Sequence, residues 1–225
     1  MATTARTTAA GPRQAGRGGR ERILAAAARL FAARGINATG MEQIADEAPV
    51  SKRTLYAHFR TKNDLVIAHL RGLAESGATL EGVLTREDTP PRDRIRKLFD
   101  PPAADASPAR GCPFIDAAVE FPDPADAVHS YAREQKLRMV ELIAALVTEL
   151  GCREPLALAE QLATLADGAA SRAMVLDEPD YGRHARAAAE ILLDRALPAT
   201  AGTNRTTEIT GTTGTTGTAG TAGTT

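Results

Sequence analysis

The chain has 225 residues, 43% hydrophobic and 24% charged, with a formal net charge of −1. There is no Trp, and only five Phe and three Tyr, so the core must be aliphatic, which favours helices over a sandwich or barrel. Two cysteines, Cys112 and Cys152, exclude a disulfide framework or a four-ligand zinc site built from thiols alone. No apolar run approaches the ~20 residues of a membrane helix. The first twenty residues lack the apolar core of a secretory signal. Together these point to a cytoplasmic protein with reduced thiols. The charge is divided unevenly: residues 1–62 carry 11 basic and 4 acidic groups, and the rest carries 16 and 24. A basic first quarter on an acidic remainder suggests that one part meets a polyanion.

In chain order, residues 1–19 read as a disordered basic tail. Arg13, Arg17 and Arg20 could form an arm reaching a minor groove. The first helix spans Arg20 to Arg34, with Ile23, Leu24, Ala27, Leu30 and Phe31 on one stripe and Gly35 as its C-cap. Thr39-Gly40-Met41-Glu42 reads as a capping box, opening a second helix that buries Ile44 and Ala45. Pro49 ends that helix by driving Ala48 out of the α region. Ser51 caps a third helix from Lys52 to about Phe59, anchored by Leu55 and Phe59. Thr61 to Asp64 opens a fourth, running to about Leu84.

The remaining pattern predicts helices over Arg92–Phe99, Phe114–Phe121, Asp126–Leu150, Leu158–Leu176 and Tyr181–Leu197, about nine in all. Leu137 falls in the stripe of the long helix, and Leu176 in that of the next. The last two have Ala-rich faces suited to a subunit interface. Thr/Gly/Ala repeats fill residues 199–225, too poor in large apolar groups to order themselves. The expected division is therefore a head over 20–65, a helical body over 66–198 and two tails.

The second and third helices form a helix-turn-helix of ordinary length. Lys52, Arg53, Thr54, Tyr56 and His58 lie on the outer face of the third. An Arg can grip guanine O6 and N7 with two donors, and Lys less rigidly. Thr39, Ser51, Tyr56, His58 and Lys62 supply groups for phosphate oxygens, and the start of the fourth helix aims backbone N–H groups at an anion. The expected partner is a double-stranded operator.

The run RERILAAAARLFAARGINATGMEQIADEAPVSKRTLYAHFRTKNDLV resembles the DNA-binding domain of the tetracycline-repressor family. Ile44-Ala45, Val50-Ser51-Lys52, Thr54-Leu55-Tyr56, His58-Phe59 and Lys62 carry the likeness. Arg110 to Asp123, RGCPFIDAAVEFPD, is similar to a segment of the ligand domain in one branch of that family. The resemblance implies an all-helical homodimer joined through residues 155–197 and bound to a pseudo-palindromic operator. It also implies release by a small molecule. One position departs: the family usually has Gly in the turn, and this chain has Pro49. A proline ring fixes φ near −65°, so the turn should be built differently.

In the body, Cys112, Phe114, Asp116, Glu120, Phe121, His129, Tyr131 and Arg172 are polar or aromatic groups in apolar helices, the mixture a ligand pocket needs. Neither a metal nor a cofactor is expected, since His58, His69, His129 and His184 show no ligand spacing. Two other readings stand beside the regulator. One is a helical dimeric interaction module whose head is disabled by Pro49. The other is an enzyme using Cys112 with His129 and a carboxylate, but no recognisable oxyanion loop accompanies them.

Overall fold

The computed structural model describes residues 18–75, 80–100, 111–178, 180 and 182–197. The tails, Arg13, Arg17, Arg110 and Tyr181 lie outside this set. Among the described residues the fold is all-α, in ten segments: α1 (Gly19–Arg34), α2 (Met41–Glu47), α3 (Lys52–His58), α4 (Lys62–Glu75), α5 (Leu80–Leu84), α6 (Pro91–Lys97), α7 (Pro113–Glu120), α8 (Ala127–Glu149), α9 (Pro155–Leu176) and α10 (Gly182–Ala196). The single helix expected to reach Leu84 corresponds to α4 and α5, with residues 76–79 between them outside the described set.

Two apolar cores organise these helices. One gathers Leu84, Ile95, Phe99, Ile143, Leu162 and Leu193 from α5, α6, α8, α9, α10 and the residues just past α6. The other gathers Ile23, Phe31, Ile44, Leu55, Phe59, Leu65 and Leu70 from α1 to α4. Ala117 of α7 and Val128 and Ala132 of α8 complete this second core. Packing therefore does not break at residue 65. The corner between α7 and α8 belongs to the same hydrophobic unit as the head.

Two stripe assignments change. Leu137 is 44% exposed and Leu176 is 49% exposed. The rest of the stripe expected for α8, through Val128, Val140, Ile143 and Val147, is buried, with Ala132, Met139 and Leu146 beside it. In α9 the expected stripe is buried at Leu158 and Leu162, full burial stops after Ala166, and Ala169 is the last residue packed against the core.

At the base of the body α10 begins hard against the end of α6. A Cβ placed on Gly182 would lie 2.2 Å from the Phe99 carbonyl oxygen. Glycine is required there by close approach. An ionic cluster crosses the same seam, with Arg92 and Arg96 both bonded to Glu190. Those guanidiniums pull the Glu190 carboxyl down to about 2.

Candidate nucleic-acid interface

The head is assembled by short helices that cap one another. α2 starts at Gly40, whose N–H donates to Gln43 Oε1 at 2.9 Å. Only this half of a capping box forms, one residue on from the expected Thr39–Glu42 pair, since glycine has no side chain to accept from Gln43 N. Thr39 itself is fully buried, and its hydroxyl donates to the Gly35 carbonyl at 2.8 Å. A buried, committed hydroxyl cannot meet a phosphate, so Thr39 leaves the set of DNA contacts and becomes the lock of the α1–α2 loop.

Ser51 caps α3 as expected, accepting from Thr54 N at 3.1 Å, and its hydroxyl also meets that of Thr54 at 2.8 Å. Leu55 is fully buried and Phe59 is 3% exposed, so the back of α3 is fixed. Across that back, Lys52, Arg53, Tyr56 and His58 are exposed. Arg53 has no partner among the described residues. Lys52 is ion-paired with Glu42, and this hydrogen-bonded pair raises its pKa. Both side chains are well exposed, so DNA can compete for the ammonium at small cost. His58 lies against the start of α1, its Nε2 3.1 Å from where a Gly19 Cβ would be. Arg20 rests on the Phe59 ring, 5.7 Å from its centre, which anchors the root of the expected arm.

The turn between α2 and α3 differs from the expectation. Ala48 ends α2 at φ −85°, ψ 5°, outside the α region as expected before a proline, and the difference lies at Pro49 itself. Val50 N donates to Ala45 O at 3.0 Å, the longer of the two bonds of a Schellman C-cap. The residue between them in such a cap takes left-handed φ, and here Pro49 is held at φ +24°. The turn keeps the course a glycine would give it, and the strain falls on the proline. Pro49 also lacks the N–H that would make the cap's second bond, to Asp46 O.

α4 opens with a reciprocal cap: Thr61 N donates to Asp64 Oδ2 and Asp64 N to Thr61 Oγ1. Lys62 donates to the Asn37 carbonyl at 3.3 Å, and burial lowers its pKa. One of its three donors is therefore spent inside the protein.

The eight residues expected to line a ligand pocket do not converge on one among the described residues. Four of them, Phe114, Glu120, Phe121 and Tyr131, meet the head, and His129 straps the corner that carries them. Phe114, Phe121 and Tyr131 pack against the head's core. His129 Nδ1 meets Phe121 O at 2.7 Å, and the Glu120 carboxylate accepts from Ile36 N at 2.8 Å and from Asn37 N. Asp116 is half-buried on α7, and Arg172 is exposed on α9. Cys112 caps the far end of α7. It is thus about 12 Å of helix rise from the end where His129 sits, too far for a thiol–imidazole pair. Asn37, Asn63 and Asp126 were not singled out from sequence, yet all three make contacts between head and body. No three His, Cys, Asp or Glu side chains group as a metal site among the described residues. No helix among them is long and apolar enough to cross a membrane.

A basic reading helix set on a buried anchor, behind a two-helix scaffold, defines a DNA-binding head of helix-turn-helix type. Residues 23–69 match the family model described as bacterial regulatory proteins, tetR family. The transcriptional activator FasR of Mycolicibacterium smegmatis is 39% identical over 81 residues, 36% of this chain and 37% of that relative's length. The regulator YjdC of Escherichia coli is 26% identical over 161 residues, 69% of this chain and 83% of that protein. The solved structure of SCO4454, a TetR-family transcriptional regulator from Streptomyces coelicolor, superposes with a TM-score of 0.70 at 28% identity. That match covers 79% of this chain and 95% of that one. Residues 23–69 thus carry a DNA-binding head like that of the tetR family, and the chain is similar in sequence and fold to transcriptional regulators of that family.

Proposed function

We propose that the protein is a homodimeric repressor that holds a pseudo-palindromic operator and is released from it by a small molecule. The observation that carries the reading is the outer face of α3, where Arg53 and Tyr56 are exposed while Leu55 and Phe59 fix the helix from behind. Arg53 is the base reader, and Lys52 follows once it leaves Glu42. Ser51, Thr54, Tyr56, His58 and the remaining donors of Lys62 meet phosphates.

Dimerisation through α9 and α10 is supported by apolar side chains left in solvent: Leu156 at 62%, Val175 at 71% and Ile191 at 56% exposure. Such groups on the last two helices are what a second copy would cover. Two heads so joined would sit in successive major grooves about 34 Å apart. Occupying those grooves excludes polymerase, which is the simplest route to repression. The effector would act by favouring a body conformation in which the heads no longer match that spacing.

Replacing Arg53 by Ala tests the assignment. It should cost about 1–3 kcal/mol of operator affinity and relax preference at one base position. Equal loss on every sequence would make Arg53 a phosphate anchor, and no loss would remove α3 from the interface.

A further inference from the structure

We infer that Glu120 is a positioning residue: its carboxylate clamps the α1–α2 loop and sets the orientation of the DNA-reading head on the body. This deepens the proposed function and rests on the head being a DNA reader.

Two consecutive backbone N–H groups, of Ile36 and Asn37, converge on the two oxygens of this one carboxylate. Charge-assisted bonds in a paired arrangement are the stronger kind, and they fix direction as well as distance. The grip on Asn37 is completed from two other sides. Its amide donates to the Glu120 carbonyl at 2.8 Å, and its carbonyl accepts from Lys62 at 3.3 Å. The loop cannot absorb the constraint by flexing, because Thr39 ties it internally to Gly35. Whatever holds residues 36–37 therefore holds the start of α2.

A second contact lies on the other side of the reading helices. Asn63 donates to both oxygens of Asp126, at 3.2 and 3.0 Å, and Asp126 in turn caps α8 by accepting from Val128 N at 2.7 Å. The helix-turn-helix is thus bracketed, just before α2 by Glu120 and just after α3 by Asp126. Both partners belong to the α7–α8 corner. That corner is strapped within itself by His129 to Phe121 O, Asp126 N to Asp123 O and Ser130 to Pro124 O. These bonds stiffen the corner. The opposite end of α7 abuts α9, where a Gly111 Cβ would meet Met174 Sδ at 3.3 Å. A shift of α7 against α9 would therefore be delivered to the clamp, independently of the covalent path through α4.

The test uses the full chain and two readouts. Amide hydrogen exchange should show Ile36 and Asn37 protected, and Glu120→Ala should speed their exchange about tenfold or more while Leu55 and Phe59 in α3 stay protected. Glu120→Gln, with one acceptor oxygen left, should fall between. Each protein is then titrated with duplexes selected by the wild type from random DNA, at altered half-site spacings. Glu120→Ala should bind at least tenfold more weakly and tolerate wrong spacings, yet keep the same base preference; mere unfolding would lose both together. Exchange indifferent to Glu120→Ala overturns the clamp. Faster exchange with unchanged affinity and spacing preference overturns its role in orientation. Should the wild type select no DNA, the function and the orienting role both fall, while exchange alone still decides whether the clamp exists.

Discussion

Replacing Pro49 by Gly should stabilise the protein. The cap geometry around Ala45 and Val50 requires left-handed backbone at this position, and the proline ring is held at φ +24° against its preferred −65°. Strain of this kind is worth about 1–3 kcal/mol. Glycine would also supply the missing N–H, and a regained hydrogen bond contributes about 0.5–1.5 kcal/mol. Against this, losing proline and gaining glycine frees the unfolded chain, which costs about 1–2 kcal/mol over the two steps. At the middle of these ranges the gain outweighs the loss by about 1.5 kcal/mol, or roughly 3–6 °C in Tm for a chain of this size. Thermal and urea unfolding of the two proteins measure it. Pro49→Ala should fall below Pro49→Gly, because a Cβ in left-handed geometry costs about 1–2 kcal/mol. A lower Tm for Pro49→Gly than for wild type refutes the reasoning. It would mean that proline sits relaxed in the turn and only its stiffening of the unfolded chain is felt.

Three further outcomes are expected. Thr39→Val should lower stability by about 0.5–1.5 kcal/mol in urea unfolding, because it removes the bond from the buried Thr39 hydroxyl to the half-buried Gly35 carbonyl; unchanged stability would mean that the loop is not locked by this hydroxyl. Gly182→Ala should destabilise strongly, since a Cβ 2.2 Å from the Phe99 oxygen forces α10 away from α6. Overpacking of this kind costs about 1–3 kcal/mol or more, read as a fall in Tm. Acid should act through Glu190. Its carboxyl titrates near 2 when folded and near 4.5 when free, so folding favours the ionised form. That contribution is complete above about pH 4.5 and is lost as pH falls toward 2. Between pH 5 and pH 3 the wild-type Tm should therefore drop further than that of Glu190→Gln, and parallel curves would exclude Glu190 as a source of the acid sensitivity.

The head was legible in sequence because its signals are local. Ile44 and Ala45, then Leu55 and Phe59, repeat at helical spacing, and Ser51 and Thr61 stand where caps must be. Thr39 was misread because Thr39–Glu42 and Gly40–Gln43 satisfy the same spacing one residue apart. The outcome turns on Thr39 being buried with Gly35 O as its acceptor, which no window of sequence displays. The turn at Pro49 was misjudged for a related reason. Ring geometry says what proline prefers, but the packing of Ala48 and Leu55 on either side dictates the path. Glu120, His129 and Tyr131 look the same in sequence whether they line a cavity or close a seam. Both need a polar group among apolar neighbours, and the partners of Glu120 lie more than 80 residues away. Backbone N–H groups carry no side-chain signature, so the clamp had none to read.

The most direct test of the account is binding of the full-length protein to the DNA flanking its own coding region. It is read by fluorescence anisotropy at two salt concentrations against random competitor, for wild type and Arg53→Ala. The account predicts tight wild-type binding that survives competitor and a loss in Arg53→Ala confined to particular base positions. Weak binding that is equal for all sequences, abolished by salt and indifferent to Arg53 would contradict it, leaving only the electrostatics of a basic head.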